Sequence, residues 1–254
     1  MILTEVKDKK EYRGLSDTFV SRIVAPYILK YNEYNEKEKK KLIKDARTRL
    51  RELYGAFLVP GYERRKKYLA TMSKWDDVEK CERILSLHVS SKERLPFYPK
   101  LYQKLQNRIH YKTILDLGCG MNVFSRLWMG HVQYYGIDVN KDDVDFCNDY
   151  LQRYQLAGGV RWGDLLGFDT FVKTDVCFMF KILEGMEALE RGSTEKLLKK
   201  VMSPYIVESF ATRSLGGGKV ISARRLKWFE QLVPVHEKFN LGTEVYYIIR
   251  RDSF

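Results

Sequence analysis

The sequence contains no Cys-X-X-Cys pair. Its four cysteines, Cys81, Cys119, Cys147 and Cys177, stand far apart, which argues against a zinc knuckle or a disulfide framework and points to reduced, partly buried thiols. His88, His110, His131 and His236 are equally scattered, so no metal site is expected. No apolar run approaches the roughly 20 residues that a membrane-spanning helix needs. The opening MILTEVKDKKEYRG becomes charged too early for a secretory signal. These absences lead to the expectation of a cytoplasmic protein with no membrane partner.

What is present is an ordinary soluble composition, 44% hydrophobic and 31% charged, in 254 residues. That length suffices for one large domain or a core domain with an appendage. The formal net charge is +12, and an excess of cations favours a polyanionic partner. The excess is uneven: the first 80 residues hold 20 of the 45 Lys and Arg against 13 Asp and Glu.

The first 80 or so residues read as helices. In EKEKKKLIKDARTRLRELYG, Leu42, Ile43, Ala46, Leu50 and Leu53 recur at helical spacing, with Lys40, Lys44, Arg47 and Arg51 on other faces. Gly55 is suited to ending that helix. Ser16-Asp17 can cap an earlier helix that Pro26 would kink or shorten. Another helix is predicted over Tyr62 to Met72, carrying the run Arg64, Arg65, Lys66, Lys67.

From about residue 95 strands alternate with helices. Candidate strands are Thr113 to Leu117, Tyr134 to Asp138, Val160 to Gly163, Val176 to Phe180, Tyr205 to Ser209, Val235 to Phe239 and Glu244 to Arg250, with helices such as Asp142 to Tyr154 and Ser193 to Met202 between them. Such alternation implies an α/β fold whose mainly parallel sheet carries helices on both faces. The connection Asn240-Leu241-Gly242 is too short for a crossover, so the last two strands should be antiparallel neighbours.

The first candidate core strand runs into ILDLGCGMNVF. A dinucleotide fingerprint needs a third glycine where this chain has Val123, and the Gly-Lys-Ser/Thr of a P-loop is missing too. What remains is Asp116-Leu117-Gly118-Cys119-Gly120, then Asp138 at the end of the next strand and Gly163-Asp164 after the third. This arrangement looks like the S-adenosylmethionine site of Rossmann-like methyltransferases. Glycines let backbone approach a ligand; Asp116 can organise the turn and meet the methionine ammonium, Asp138 can accept from ribose hydroxyls, and Asp164 can accept from the adenine amino group.

The acceptor is narrowed by what is absent. Carbon-5 pyrimidine methylation needs a cysteine nucleophile, generally in a Pro-Cys setting, and there is none. Exocyclic amino methylation typically uses Asn/Asp-Pro-Pro-aromatic after the fourth strand, where this chain has Phe180-Lys181-Ile182-Leu183-Glu184. Guanine N7 presents an unprotonated lone pair and requires alignment but no general base; a site without an obvious base suits it.

The segments KKEYRGLSD, LRELYGAF, ILSLHVSSKERLPFY, ILDLGCGMN, FKILEGMEALER and SFATRSLGGGK together resemble the aminoglycoside-resistance 16S rRNA (guanine-N7) methyltransferases, from about Lys9 nearly to Phe229. The resemblance implies a Rossmann-like seven-stranded methyltransferase domain over residues 85–254, mainly parallel with its last strand antiparallel, behind an N-terminal helical RNA-binding domain over residues 1–84. It implies S-adenosylmethionine as cofactor, structured RNA as partner and a monomer. It places Arg94 on the methionine carboxylate, with His88 and Ser90 beside it, and Phe180 and Lys181 near the methyl group. Ser209, Thr212, Arg213 and Ser214 would belong to a loop that grips the target nucleotide, so Phe180, Lys181 and Ser209 are the catalytic candidates. Lys9, Lys10, Arg13, Arg64, Arg65, Lys66, Lys67, Arg213 and Lys219 would meet RNA phosphates.

The chain departs from that pattern at three prolines. Asn122-Val123-Phe124, Leu183-Glu184 and Phe210-Ala211-Thr212 stand where Asn-Pro-Phe, Leu-Pro and Phe-Pro-Thr are expected. Each loss should loosen a loop beside the site, and Glu184 adds a negative charge near the RNA. These departures leave open methylation of tRNA or of adenine N1, and a non-catalytic RNA-binding or assembly factor. A small-molecule methyltransferase would leave the basic appendage unexplained.

Overall fold

A computed structural model describes residues 2–30, 35–214, 218–234 and 236–253. Its sheet contains β1 (Thr113–Leu117), β2 (Gln133–Asp138), β3 (Gly158–Trp162), β4 (Val176–Phe180), β5 (Tyr205–Ala211), β6 (His236–Leu241) and β7 (Glu244–Arg250) in the order β3-β2-β1-β4-β5-β7-β6. The first five are parallel, and β7 runs antiparallel to both β5 and β6. Val235, expected to open the sixth strand, lies outside the described residues. Every residue of β4 is buried, as a central parallel strand covered on both faces requires. Strand order reverses between β1 and β4, and in open α/β sheets the crevice at that reversal is where ligands bind.

Helices α1 (Ile2–Val6), α2 (Asp17–Lys30) and α3 (Glu36–Leu53) precede the sheet, followed by α4 (Arg65–Ala70), α5 (Val78–Leu85), α6 (Val89–Arg94) and α7 (Tyr98–Gln106). Between and after the strands come α8 (Lys141–Arg153), α9 (Leu183–Leu189), α10 (Ser193–Lys200) and α11 (Lys227–Leu232). One face of the sheet packs on α5, α7 and α8, the other on α9, α10 and α11. A third apolar cluster joins Val6, Tyr12, Leu15, Val20 and Ile23 to Leu42, Ala46 and Leu50 of α3. Asn35 starts α3 with a capping box, its Oδ1 accepting from the amides of Lys37 and Glu38, each at 3.0 Å.

Several expectations need correcting. Pro26 does not shorten α2, which carries it on its exposed side and continues to Lys30. The helix expected over Tyr62 to Met72 is a 3-10 turn, Tyr62–Arg64, followed by the shorter α4. Packing does not divide at residue 84: Leu69, Met72, Cys81, Ile84 and Leu85 belong to the sheet's own core, so the separate helical unit ends near Tyr54. The three positions without proline lie in regular, packed or paired structure rather than in loops. Val123 is buried in a 3-10 helix, Glu184 sits in the first turn of α9, and Ala211 ends β5 opposite Glu244.

The helical unit is joined to the C-terminal end of β2. Ser16 N–H donates to Val139 O at 2.9 Å and Lys141 N–H to Gly14 O at 2.8 Å; a Cβ at Gly14 would lie 2.7 Å from Asn140 Oδ1, so only glycine permits this approach. Tyr54 Oη accepts from Asn140 Nδ2 at 2.7 Å and donates to Asp143 Oδ2 at 3.1 Å. Arg65 Nη2 donates to Asp143 Oδ1 at 2.9 Å, with its guanidinium between the rings of Tyr62 and Phe146. Burial pushes the Asp143 carboxyl up to about 7, against the pull of Arg65.

Glu208, in the middle of β5, is fully buried and neither carboxyl oxygen has a hydrogen-bond partner. Burial pushes its pKa well above the ordinary 4.5, and the nearby Glu244 carboxylate adds to the shift.

Two outcomes follow for stability. Arg65→Ala leaves Asp143 buried without its cation and should lower the unfolding free energy by about 3–5 kcal/mol, part of which Asp143→Asn restores in the same background. Glu208→Met should raise it by about 1–3 kcal/mol at neutral pH. Folded Glu208 keeps its proton above pH 4.5, so it contributes a fall in wild-type stability as pH rises from that value through its folded pKa; the variant loses this contribution and keeps those of Asp116 and Asp143. Urea titrations from acid to mildly alkaline pH check both, and a less stable Glu208→Met protein contradicts the unpartnered carboxyl.

Candidate functional site

A cavity of about 400 Å³ opens at the C-terminal ends of β1, β2 and β4. Its floor is the glycine turn. Gly118 has φ +67, and a Cβ there would stand 2.5 Å from Ile182 Cγ2, so both backbone and space demand glycine. Asp116 is buried beneath the turn, where its Oδ2 accepts from Asn122 Nδ2 and Tyr134 Oη, each at 2.7 Å. It therefore ties β1 to β2 and to the residues after the turn. Burial pushes its carboxyl up to about 6.

Asp138 ends β2 and reaches across to the turn: Oδ2 accepts from Gly120 N–H at 2.8 Å and Oδ1 from Asn140 N–H at 3.1 Å. Burial raises its pKa, and these amide bonds oppose the rise. Asp164 lies at the neighbouring strand end. Its Oδ1 accepts from Leu166 N–H and its Oδ2 from Arg22 Nε, both at 3.1 Å.

A second group of charges lies beside Phe180. Arg94 donates through Nε and Nη2 to the two oxygens of Glu244 at 3.1 and 3.0 Å, and its guanidinium sits 4.6 Å from the Phe180 ring centre. Lys181, itself at φ +60, places Nζ 2.7 Å from Glu93 and 3.3 Å from Glu244. Burial pushes the Glu244 carboxyl upward, but Arg94 and Lys181 more than reverse this, leaving it below the usual range. His88 stacks on Phe57 at 5.7 Å, and burial, with Arg94 and Lys181 adding, pushes its imidazole down to about 4.

The structure brings His88, Ser90, Arg94, Asp116, Gly118, Gly120, Asp138, Asp164, Phe180 and Lys181 to one cavity. Ser209 is not among its lining. It belongs to β5 rather than a loop, is fully buried, and donates to Glu244 Oε2 at 2.6 Å, so it cannot hold a nucleotide. Thr212, Arg213 and Ser214 follow the strand, with Arg213 and Ser214 lining the cavity; residues 215–217 of the same segment lie outside those described. Arg65 is also withdrawn from the RNA set, being buried against Asp143. Lys9, Lys10, Arg13, Arg64, Lys66, Lys67, Arg213 and Lys219 are exposed. Glu184 does not present a bare charge, because Arg225 pairs with it and also donates to Ala211 O.

Nothing local in the chain points to Phe19, Tyr54 and Phe57 as cavity wall, to Arg22 on Asp164, or to Glu244 beneath Arg94. Each comes from a distant part of the chain. A groove of about 610 Å³ between α1 and α3, lined by Lys9, Lys40, Lys44, Arg47 and Arg51 with Glu5 and Asp8, was likewise visible only as helical spacing of cations.

The residues present fit a nucleoside-bearing methyl donor. The cavity has the right scale, the glycine turn leaves a cradle that a Cβ would fill, and buried His88 Nδ1 has no partner of its own.

Comparison with known proteins agrees. Residues 9–233 match the family described as ribosomal RNA methyltransferase (FmrO). The chain is 30% identical over 257 residues to a 16S rRNA (guanine(1405)-N(7))-methyltransferase of Serratia marcescens, covering 99% of this chain and 98% of that one. Among solved structures, 16S rRNA methyltransferase RmtF in complex with S-adenosyl-L-homocysteine superposes with a TM-score of 0.85 at 26% identity, over 98% of this chain and 96% of that one. The 16S rRNA methylase RmtB gives 0.80 at 27%, with the same coverage.

Gly118→Ala should weaken S-adenosylhomocysteine binding at least about tenfold while the circular dichroism spectrum is retained, since the added methyl displaces Ile182 and strains a left-handed turn. Calorimetric titration reads this directly, and undiminished affinity removes the turn from the ligand site.

Proposed function

Because the chain belongs to the ribosomal RNA methyltransferase (FmrO) family, we propose that it transfers a methyl group from S-adenosylmethionine to N7 of a guanine in 16S rRNA, at the position equivalent to 1405 in its relatives' target. One observation carries the choice of atom. Among the described residues, each carboxylate lining the cavity already has a partner: Glu52 with Arg49, Glu93 with Lys181, Asp116 with Asn122 and Tyr134, Asp138 with backbone amides, Asp143 with Arg65 and Tyr54, Asp164 with Arg22, and Glu184 with Arg225. The imidazole of His88, at about 4, is too weak a base to help at neutral pH. Such a site offers alignment, not proton abstraction, and so fits an acceptor that brings its own lone pair.

The donor supplies an electrophilic methyl on a sulfonium centre. For this chain's residues we assign holding roles. Asp138 and Asp164 recognise the nucleoside, Asp116 keeps the turn in shape near the methionine ammonium, and Arg94, with His88 and Ser90, meets the carboxylate. Glu244 fixes the Arg94 fork. Phe180 and Lys181 border the methyl end, and the Lys181 ammonium, fixed by Glu93 and Glu244, shapes that end rather than moving a proton.

The N-terminal helices are assigned to RNA docking through exposed Lys9, Lys10, Arg13, Arg64, Lys66 and Lys67. Support comes from α3, where Lys40, Lys44, Arg47 and Arg51 share one edge while Glu38, Asp45 and Glu52 recur on another. Arg213 and Lys219 would meet RNA at the cavity mouth. A monomer is supported by the scatter of exposed large apolar side chains among the described residues: apart from the neighbours Ile28 and Leu29, they stand singly at Val78, Trp162, Val172, Met202 and Val220. No helix of the described residues is long and apolar enough to cross a membrane; action in the cytoplasm follows from the proposed substrate.

Incubation with labelled donor and either small ribosomal subunits or tRNA, followed by nucleoside analysis and mapping by borohydride–aniline cleavage, tests the reading. The expected product is 7-methylguanosine at the position equivalent to 1405 in 16S rRNA. 1-Methyladenosine, or methylation confined to tRNA, overturns it. Binding to the subunit should weaken steeply with salt, as phosphate contacts demand.

A further inference from the structure

Arg22 lies outside the methyltransferase domain yet makes the contact that orients Asp164. Within α2, Phe19 and Arg22 stand three residues apart and so share a face. Phe19 lines the donor cavity, and Arg22 donates through Nε to Asp164 Oδ2 at 3.1 Å and through Nη1 to Glu190 Oε2 at 2.7 Å. The Asp164 side chain is only 6% exposed, which strengthens a charge-assisted bond to it. Its other support is a backbone amide of its own turn, that of Leu166. Without Arg22 the carboxylate would be held from one side only.

Glu190 extends the connection. Its amide closes α9 on Met186 O at 2.8 Å, and Glu184, Gly185, Met186 and Leu189 of that helix line the cavity. Glu190 is also fixed by Lys196 at 2.6 Å. At the other end of the same wall, the residue before α2, Ser16, bonds to Val139, next to Asp138. One helix of the N-terminal unit is thus fastened at both acids to which the nucleoside is assigned.

The geometry points to Arg22 as a positioning residue for purine recognition: it aims the Asp164 carboxylate at the adenine amino group, so that the docking of α2 and occupancy of the donor site are linked. This rests on the donor-site reading of the cavity and not on the identity of the RNA. Linkage is reciprocal, so a ligand that needs the clamped Asp164 must also hold α2 in place. Two acids gripped by one planar fork are a task for arginine, which lysine performs only in part.

The test compares S-adenosylhomocysteine with its analogue carrying hydrogen in place of the adenine 6-amino group, titrated calorimetrically into wild type, Arg22→Ala and Arg22→Lys. Wild type should prefer the amino form by about 10–100-fold, the range for a hydrogen bond to a charged group. Arg22→Ala should reduce this preference to about threefold or less, and Arg22→Lys should fall between. A structural role alone would weaken both ligands equally, so an unchanged ratio in Arg22→Ala, or in Arg22→Lys if alanine unfolds the protein, overturns the proposal. No preference in wild type overturns it too, leaving the donor site standing; binding of neither ligand removes the donor reading and the proposal with it. Hydrogen exchange supplies the second arm. S-Adenosylhomocysteine should slow exchange across Asp17–Lys30 in wild type and not in Arg22→Ala, and no slowing in wild type refutes the linkage.

Discussion

Carboxylates buried at one end of a parallel sheet are costly unless something donates to them, and this requirement organises the molecule. Asp116, Asp138, Asp143 and Asp164 all lie within the crevice end of the sheet with almost no exposure. Local backbone satisfies some of them: Gly120 and Asn140 amides for Asp138, the Leu166 amide for Asp164. Asp116 is served by the side chains of Asn122 and Tyr134, and the remaining donors come from the N-terminal helices and the turn after them, through Tyr54 and Arg65 to Asp143 and Arg22 to Asp164. The helical unit is therefore part of what makes the acid-rich end of the sheet affordable. An isolated sheet domain would keep the acids and lose the donors that Arg22, Tyr54 and Arg65 supply.

That dependence also marks what could be read in the sequence. Strand positions, the glycine turn and the acids at strand ends announce themselves locally, through alternation, through residues with special backbone freedom, and through their place after an apolar run. The parallel sheet, the antiparallel final strand and five cavity-lining residues, Asp116, Gly118, Gly120, Asp138 and Asp164, were accessible in that way, whereas His88, Ser90, Arg94, Phe180 and Lys181 were reached only through the family resemblance. Donors were not. Arg22 meets Asp164 across a separation of 142 residues and Arg94 meets Glu244 across 150, and no period in the chain encodes such pairs. The same blindness produced the errors. Arg65 sits in a run of four cations and looks as solvated as its neighbours, but helical rotation turns it and Leu69 inward. Ser209 ends a segment that reads as strand, but the family resemblance assigns it to the loop that follows, and strand pairing with Tyr246 puts its hydroxyl into the interior.

The missing prolines teach a related lesson. Proline fixes φ and removes a donor, so its loss suggests slack, yet secondary structure supplies the restraint in its place. Ala211 is held in register opposite Glu244, Glu184 is in the first turn of a helix and pairs with Arg225, and Val123 is packed in the core. The pairing of Glu184 matters most chemically, because a bare carboxylate at the cavity mouth would repel a phosphate backbone. With Arg225 alongside, Glu184 adds no net negative charge there, so it does not oppose the RNA contacts proposed for Arg213 and Lys219 at the mouth.

A site whose acids are all engaged cannot work by taking a proton, and this shifts the burden of catalysis onto geometry. For transfer to a lone pair that already exists, rate depends on how rigidly donor and acceptor are aligned, since near-attack geometry tolerates little misplacement. Rigidity at the nucleoside end comes from the bonds that also fasten α2 and α3 to the sheet. Rigidity at the methyl end comes from Arg94, Lys181 and Glu244, whose side chains are buried, and from the partly exposed Glu93. The surface assigned to RNA docking is thus built on the helices that complete the donor cavity, and a substrate that settles on those helices bears on the alignment of the methyl group through the Arg22 and Arg65 ion pairs.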